Sequence, residues 1–213
     1  MKKFVQTKIA GILACILIFS MHTHAQVGKN NGVLNPNRAS EKELLALPHM
    51  NQEIVDGIID KRPFLSISAL NSYLSPYFSE AQRKEFYVTC FVPINLNTAT
   101  REEILLVPGM GNRMAHEFEE YRPYVKLAQF RREIGKYVDD DEVARFEQFI
   151  FVPIDLNTAS KEDILSIPGV GERMLHEFEE YRPYKNMDHW RREIGKYVDD
   201  DELNRLERYV KLD

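Results

Sequence analysis

Between residues 94 and 153, apolar residues recur at helical spacing in several segments, and turn residues separate these segments. Met114, Phe118 and Tyr121 recur at i, i+4 and i+7, which predicts a helix with one buried face. No stretch alternates between apolar and polar residues for long enough to require a sheet, so the pattern predicts an all-α fold. The other helices predicted here have apolar positions at Ile104, Leu105 and Val107, at Leu127, Phe130 and Ile134, and at Val143, Phe146 and Ile150.

Capping and turn residues mark where these helices begin and end. Thr100-Arg101-Glu102-Glu103 is a capping box, with a hydroxyl at the helix start and a carboxylate three residues later. Pro108-Gly109-Met110-Gly111 ends the first helix and reverses the chain, because glycine tolerates the positive φ of such a turn. The second helix is predicted to end before Arg122-Pro123, since the residue before proline avoids the helical region. Gly135 ends the third helix, and the fourth begins near Asp139-Asp140-Asp141, whose charges suit a helix N-terminus.

The whole pattern repeats with a period of 60 residues. Ile94-Asn95-Leu96-Asn97-Thr98-Ala99 returns as Ile154-Asp155-Leu156-Asn157-Thr158-Ala159, and the segment RREIGKYVDDDE from Arg131 returns unchanged from Arg191. A weaker copy begins at Leu34. The sequence therefore predicts three tandem units of four short helices each. We name them the first repeat (34–93), the second repeat (94–153) and the third repeat (154–213).

The N-terminal segment 1–25 has the features of a secretory signal peptide. Its three lysines precede an apolar run of eleven residues, which is too short to span a bilayer as a helix, and small residues follow near Ala25. We expect export across the inner membrane, a periplasmic location, a linker at 26–33 and no membrane span in the mature chain. Cys15 lies in a segment that resembles a lipobox, which leaves an outer-membrane lipoprotein as the alternative.

The charge of the chain argues against strong binding to nucleic acid. Removing 1–25 takes away three lysines and no acids, so the formal net charge changes from −5 to −8. The formal charges of the first, second and third repeats are −1, −3 and −5. Proteins that bind nucleic acid are usually basic, because neutralisation of phosphates dominates their affinity. Cys90, the only cysteine after residue 25, is predicted to be a small buried hydrophobic residue.

Three motifs together carry a resemblance to a known family. The Asn95-Leu96-Asn97-Thr98-Ala99 segment, the capping box and the Pro108-Gly109-Met110-Gly111 hairpin resemble helix-hairpin-helix (HhH) proteins, and in particular the exported ComEA-like DNA-uptake family. The resemblance is strong over 94–124 and 154–184 and weaker over 34–64. It implies that each unit is (HhH)2-like, with a second, degenerate hairpin in its remaining half. It also implies binding of double-stranded DNA without sequence preference.

In that family the hairpin contacts the phosphate backbone. Glycines let the main chain approach a phosphate, and the free N–H groups that begin the next helix point at the anion. The first repeat has Pro48-His49-Met50-Asn51 at this position, without either glycine, so we expect it to have lost phosphate binding. The resemblance implies phosphate-binding residues Gly109, Gly111, Asn112 and Arg113 in the second repeat, and Gly169, Gly171, Glu172 and Arg173 in the third.

Two other classes of function were considered for this sequence, a protein-interaction scaffold and an enzyme. A protein-interaction scaffold of the cell envelope that kept the fold and lost DNA binding would suit the acidic charge. An enzyme is not expected, because His116-Glu117 lacks the second histidine of an HExxH zinc site and no nucleophile has a recognisable base partner. We therefore predict no catalytic residue, no metal, no cofactor and no small-molecule substrate. Tyr121 and Tyr181 are expected in the core, although their position also allows stacking on a base.

Overall fold

The computed structural model describes residues 32–213, so the predicted signal peptide, Cys15 and most of the predicted linker lie outside the described residues. The described part of the chain is rich in helix and has few strands, so the fold is mostly α where the sequence predicts all-α. Helices of corresponding position begin 60 residues apart, at Glu41, Arg101 and Lys161 for the first of each repeat. The helices described are α1 (Glu41–Leu45), α2 (Gln52–Asp60), α3 (Ile67–Leu74), α4 (Glu80–Thr89), α5 (Arg101–Leu105), α6 (Asn112–Glu120), α7 (Leu127–Ile134), α8 (Asp140–Phe146), α9 (Lys161–Leu165), α10 (Glu172–Glu180), α11 (Met187–Ile194) and α12 (Asp200–Glu207).

Two small parallel sheets, which the sequence did not predict, join the beginning and the end of the second and third repeats. In one, β1 (Ile94–Asn95) pairs with β2 (Ile150–Phe151). In the other, β3 (Ile154–Asp155) pairs with β4 (Val210–Lys211). Each strand has two residues, so it is too short to produce the alternation by which a strand is recognised in a sequence. In the first repeat, Leu34 and Cys90 form the corresponding isolated parallel bridge.

The core is apolar and continues from the first repeat into the second. Phe91, at the end of the first repeat, contacts Phe149 of the second with ring centroids 5.2 Å apart in a T-shaped arrangement. A separate cluster fills the third repeat, including Trp190, and also contains Phe151 from the end of the second repeat. Cys90 is fully buried, as predicted, and burial raises the pKa of its thiol.

Polar contacts connect the third repeat to the two others. Arg208 Nη2 donates a hydrogen bond of 2.7 Å to the carbonyl oxygen of Pro93, and its guanidinium lies over the ring of Phe151. Arg38 of the first repeat lies 3.9 Å from Glu202 of the third, measured from Nη1 to Oε1. The first and third repeats therefore touch each other, although the second separates them in the sequence. Among the described residues, no helix is long and apolar enough to cross a membrane.

Candidate nucleic-acid interface

Asn97, which carries part of the family resemblance, and Arg122 form hydrogen bonds between the segments on either side of the helix pair that contains the hairpin. Asn97 Nδ2 donates to the carbonyl oxygen of Tyr124 at 2.8 Å, and the N–H of Tyr124 donates back to Asn97 Oδ1 at 2.6 Å. Arg122 donates from Nε to Leu96 O at 2.5 Å and from Nη2 to Ala99 O at 2.8 Å. These bonds tie the segment before α5 to the segment after α6. The same bonds recur at Asn37, Phe64 and Arg62 in the first repeat, and at Asn157, Tyr184 and Arg182 in the third.

The hairpin itself lies between α5 and α6, and between α9 and α10. The predicted capping box is present at the start of α5, and an equivalent box formed by Ser160 and Asp163 begins α9. Gly109 has φ +74° and Gly169 has φ +85°, so both occupy the region that favours glycine. His49 adopts φ +65° at the same position of the first repeat. The turn therefore has a similar backbone in all three repeats, with and without glycine.

The two glycine hairpins leave the N-terminus of the following helix without a side-chain cap. Gly111 precedes α6 and Gly171 precedes α10, and neither helix start has a hydrogen bond from a capping side chain. Within residues 32–213, and apart from the glycine and its two chain neighbours, no heavy atom lies within 4 Å of the position that a β-carbon would take on either glycine. In the first repeat, by contrast, Asn51 Oδ1 accepts the N–H of Ile54 at 3.0 Å. Within residues 32–213, the first N–H groups of α6 and α10 therefore have no capping side chain as acceptor, whereas in the first repeat one of them is occupied.

The predicted phosphate-binding side chains lie at these open helix starts. Asn112, Arg113, Glu172 and Arg173 are all exposed. Neither arginine forms an ion pair within residues 32–213. Arg113 and Glu117 are four residues apart on α6 but form no ion pair there, and Glu117 is buried. The structure therefore brings each predicted set together around one hairpin and leaves its arginine available.

Other cations near the second hairpin were missed by the sequence analysis. Arg145 of α8 donates from Nη1 to Pro108 O at 2.6 Å and binds both oxygens of Glu142 at 2.6 Å. These hydrogen bonds hold the pKa of the Glu142 carboxyl below its usual range. Arg101 donates to Asn112 O at 3.0 Å and to Glu119 at 2.5 Å. Both arginines therefore already form hydrogen bonds with other residues of the protein. The one feature of the sequence that could have indicated Arg101 is the cation at the same position of the third repeat, Lys161.

The first repeat closes its hairpin with its own side chains. His49 Nε2 lies 2.8 Å from Glu85 Oε2, and Asn51 caps α2. Glu85 occupies the repeat position of Arg145, and His49 that of Gly109. The loss of the glycine is therefore accompanied by the loss of the arginine that covers it in the second repeat.

Tyr121 and Tyr181, for which the sequence allowed either a core position or stacking on a base, each lie beside a second tyrosine. Tyr121 is half-buried, with its hydroxyl 2.9 Å from the hydroxyl of Tyr137, and the pair Tyr181 and Tyr197 repeats this at 2.8 Å. His116 and Glu120 lie 3.6 Å apart and are exposed. The described part of the chain contains no group of three histidine, cysteine, aspartate or glutamate residues arranged to hold a metal ion.

Comparisons with models of protein families, with curated proteins and with solved structures gave no match to this chain.

Proposed function

We propose that this chain is an exported protein of three tandem (HhH)2-like units, which binds double-stranded DNA through its phosphates without sequence preference. In this proposal the mature protein acts in the periplasm, and it handles DNA in the manner of the ComEA-like family. The second and third repeats supply the binding hairpins. The first repeat has lost its own.

One observation carries the proposal. Among the described residues, the helices that follow Gly111 and Gly171 have no side-chain cap, and the space that a β-carbon would take on either glycine is empty, whereas Asn51 caps the corresponding helix of the first repeat. Free N–H groups at a helix start form a ready site for a phosphate, because the helix dipole also favours negative charge there. A site made of backbone groups reads no base edge, so the binding is independent of sequence.

The acidic charge limits how strong this binding is. A net charge of −8 after residue 25 repels DNA at long range, so electrostatic steering of the encounter is poor. The contacts at Arg113 and Arg173 act at short range and depend on salt. We therefore expect micromolar affinity at low salt, which weakens steeply as salt is raised.

A second candidate is a protein-interaction scaffold of the cell envelope that kept the fold and lost DNA binding. The acidic charge and the self-capped hairpin of the first repeat favour it. In this alternative, the contact between the first and third repeats serves to build a rigid surface for another envelope protein.

The experiment that separates the two is fluorescence anisotropy of labelled double-stranded DNA at ~50 and ~200 mM salt. The protein is residues 26–213, which retain every residue that the structure describes. The test variant carries Arg113→Glu and Arg173→Glu. A matched control carries Lys126→Glu and Lys185→Glu, which make the same change in charge at exposed positions of the same two repeats.

Micromolar binding that weakens with salt, survives in the lysine control and is lost in the arginine variant would support the proposal. Equal loss in both variants would mean that general charge and not the hairpin attracts DNA. Absence of binding at the lower salt concentration would overturn the proposal and leave the scaffold as the function.

A further inference from the structure

We propose that Arg38 of the first repeat is a phosphate ligand of the third hairpin, so that this site is shared between two repeats. This inference rests on the proposed function, because it adds a residue to one of the two DNA-binding hairpins. Arg38 is 131 residues before Gly169 in the sequence, and no motif connects them.

The position of Arg38 is defined by close contact with the hairpin. A β-carbon on Gly169 would lie 2.7 Å from Arg38 Cζ, 2.8 Å from Nε and 3.0 Å from Nη2. No side chain other than hydrogen fits at residue 169 while Arg38 occupies this place. The guanidinium therefore lies directly on the backbone of the turn that leads to the open start of α10.

The guanidinium of Arg38 has hydrogen-bonding capacity to spare. It donates no hydrogen bond within residues 32–213, and its nearest acid, Glu202, is 3.9 Å away. Its side chain is 48% exposed. Arginine has five N–H donors in a plane that matches two oxygens of a phosphate. Arg38 is thus a cation that is placed at the hairpin and is still able to bind a ligand.

Arg145 occupies the corresponding place in the second repeat but is already engaged. A β-carbon on Gly109 would lie 3.1 Å from Arg145 Nη2. The donors of Arg145 are directed at Glu142 and at the carbonyl oxygen of Pro108. The two hairpins therefore share the arrangement of a guanidinium over glycine. Within residues 32–213, the guanidinium over Gly109 is engaged in hydrogen bonds, whereas the one over Gly169 donates none.

The third repeat does not provide this cation from its own sequence. Arg205, at the repeat position of Arg145, is 2% exposed and donates to Glu202. The third repeat also has Glu172 at the start of α10, where the second repeat has the neutral Asn112. In this arrangement Glu172 serves a phosphate only through its backbone N–H, because its carboxylate repels the phosphate, and Arg38 offsets that repulsion.

The test uses residues 26–213 with only one hairpin active at a time. In the Arg113→Glu background, where the third hairpin is the remaining site, we expect Arg38→Gln to weaken binding of labelled double-stranded DNA about ten-fold. The slope of log affinity against log salt should fall by about 1. In the Arg173→Glu background, Arg38→Gln should leave the affinity unchanged. Arg192→Gln, which removes an exposed arginine of the third repeat, is the matched control in both backgrounds.

Equal losses with Arg38→Gln and Arg192→Gln, or equal losses with Arg38→Gln in the two backgrounds, would overturn the inference while DNA binding stands. If the unsubstituted chain binds no DNA at all, the proposed function fails and the inference fails with it. Arg38→Lys keeps the charge without the planar guanidinium, and we expect it to lose less affinity than Arg38→Gln. Urea denaturation of each variant identifies any that has lost its fold, and Arg38→Lys then decides the question.

Discussion

The difference between Asn51 and Gly111 provides a direct test of how the hairpins work. Gly111 and Gly171 have extended backbone at φ −108° and −112°, in the same region as Asn51 at −139°. Space for a side chain is open at both glycines. We therefore expect Gly111→Asn with Gly171→Asn to recreate the cap of the first repeat, with the side-chain oxygens accepting the N–H groups of Met114 and Met174.

This substitution should change stability and binding in opposite directions. Asparagine at the N-cap is better than glycine by a few tenths of a kcal/mol. Replacing glycine at a compatible position adds about 0.4–1 kcal/mol by restricting the unfolded chain. Together they raise the free energy of unfolding by about 1 kcal/mol per site. A hydrogen bond to a charged group contributes about 1.5–3 kcal/mol, so each occupied N–H should weaken phosphate binding by about 10–100-fold.

Urea denaturation measures the first effect and DNA anisotropy at low salt measures the second. Gly111→Ala with Gly171→Ala is the control, since alanine adds bulk at the same position but has no group to accept the N–H. We expect the alanine variant to gain less stability and to lose less affinity than the asparagine variant. An asparagine variant that binds as well as the unsubstituted chain, or no worse than the alanine variant, would refute a role for these backbone groups.

Three other predictions follow from contacts described above. Asn97→Ala removes both hydrogen bonds to the backbone of residue 124 and should lower the free energy of unfolding in urea by about 3 kcal/mol, whereas an effect below about 1 kcal/mol would contradict its structural role. Glu172→Gln removes the acid at the start of α10 and should tighten DNA binding in anisotropy, and unchanged affinity would place the phosphate elsewhere. Arg145 holds the pKa of Glu142 below its usual range, so the folded protein binds fewer protons than the unfolded chain near the usual glutamate pKa of ~4.3. The stabilisation from this pair is present above that pH and is lost as the pH falls through the lower pKa of the folded state. Glu142→Gln should therefore reduce the decline in the free energy of unfolding that urea denaturation measures between pH ~5 and ~3, and an unchanged decline would contradict the contribution of the pair.

The boundaries of the helices were predictable because they depend on neighbours in the sequence. Thr100 and Asp139 accept N–H groups three residues later, and Gly135 follows the last residue of α7, all as predicted. Such contacts are fixed by spacing alone. The uncapped start of α6 after Gly111 is likewise predictable from the sequence, because glycine has no side chain that could accept the first N–H groups.

The contacts that the sequence did not reveal are made between distant residues. Asn97 was assigned to the family resemblance, and its bonds across 27 residues to Tyr124 became visible only in the fold. The paired strands are even farther apart in sequence, since Ile94 pairs with Ile150, and each strand is too short to form a pattern. Nothing in the sequence distinguishes Arg38 from the other arginines, because its contact with Gly169 depends on the packing of the first repeat against the third.

The parallel pairing at the ends of the repeats bears on how duplication of a gene segment can add a repeat to the protein. Ile94 pairs with Ile150, and Ile154 pairs with Val210, so the chain leaves each segment beside the place where it entered. The junctions 92–94 and 152–154 both read Val-Pro-Ile. Excision of 94–153 would join Pro93 to the isoleucine at 154 and restore the same junction. Duplication of a gene segment of this length can therefore lengthen the protein by a whole unit without creating a new connection.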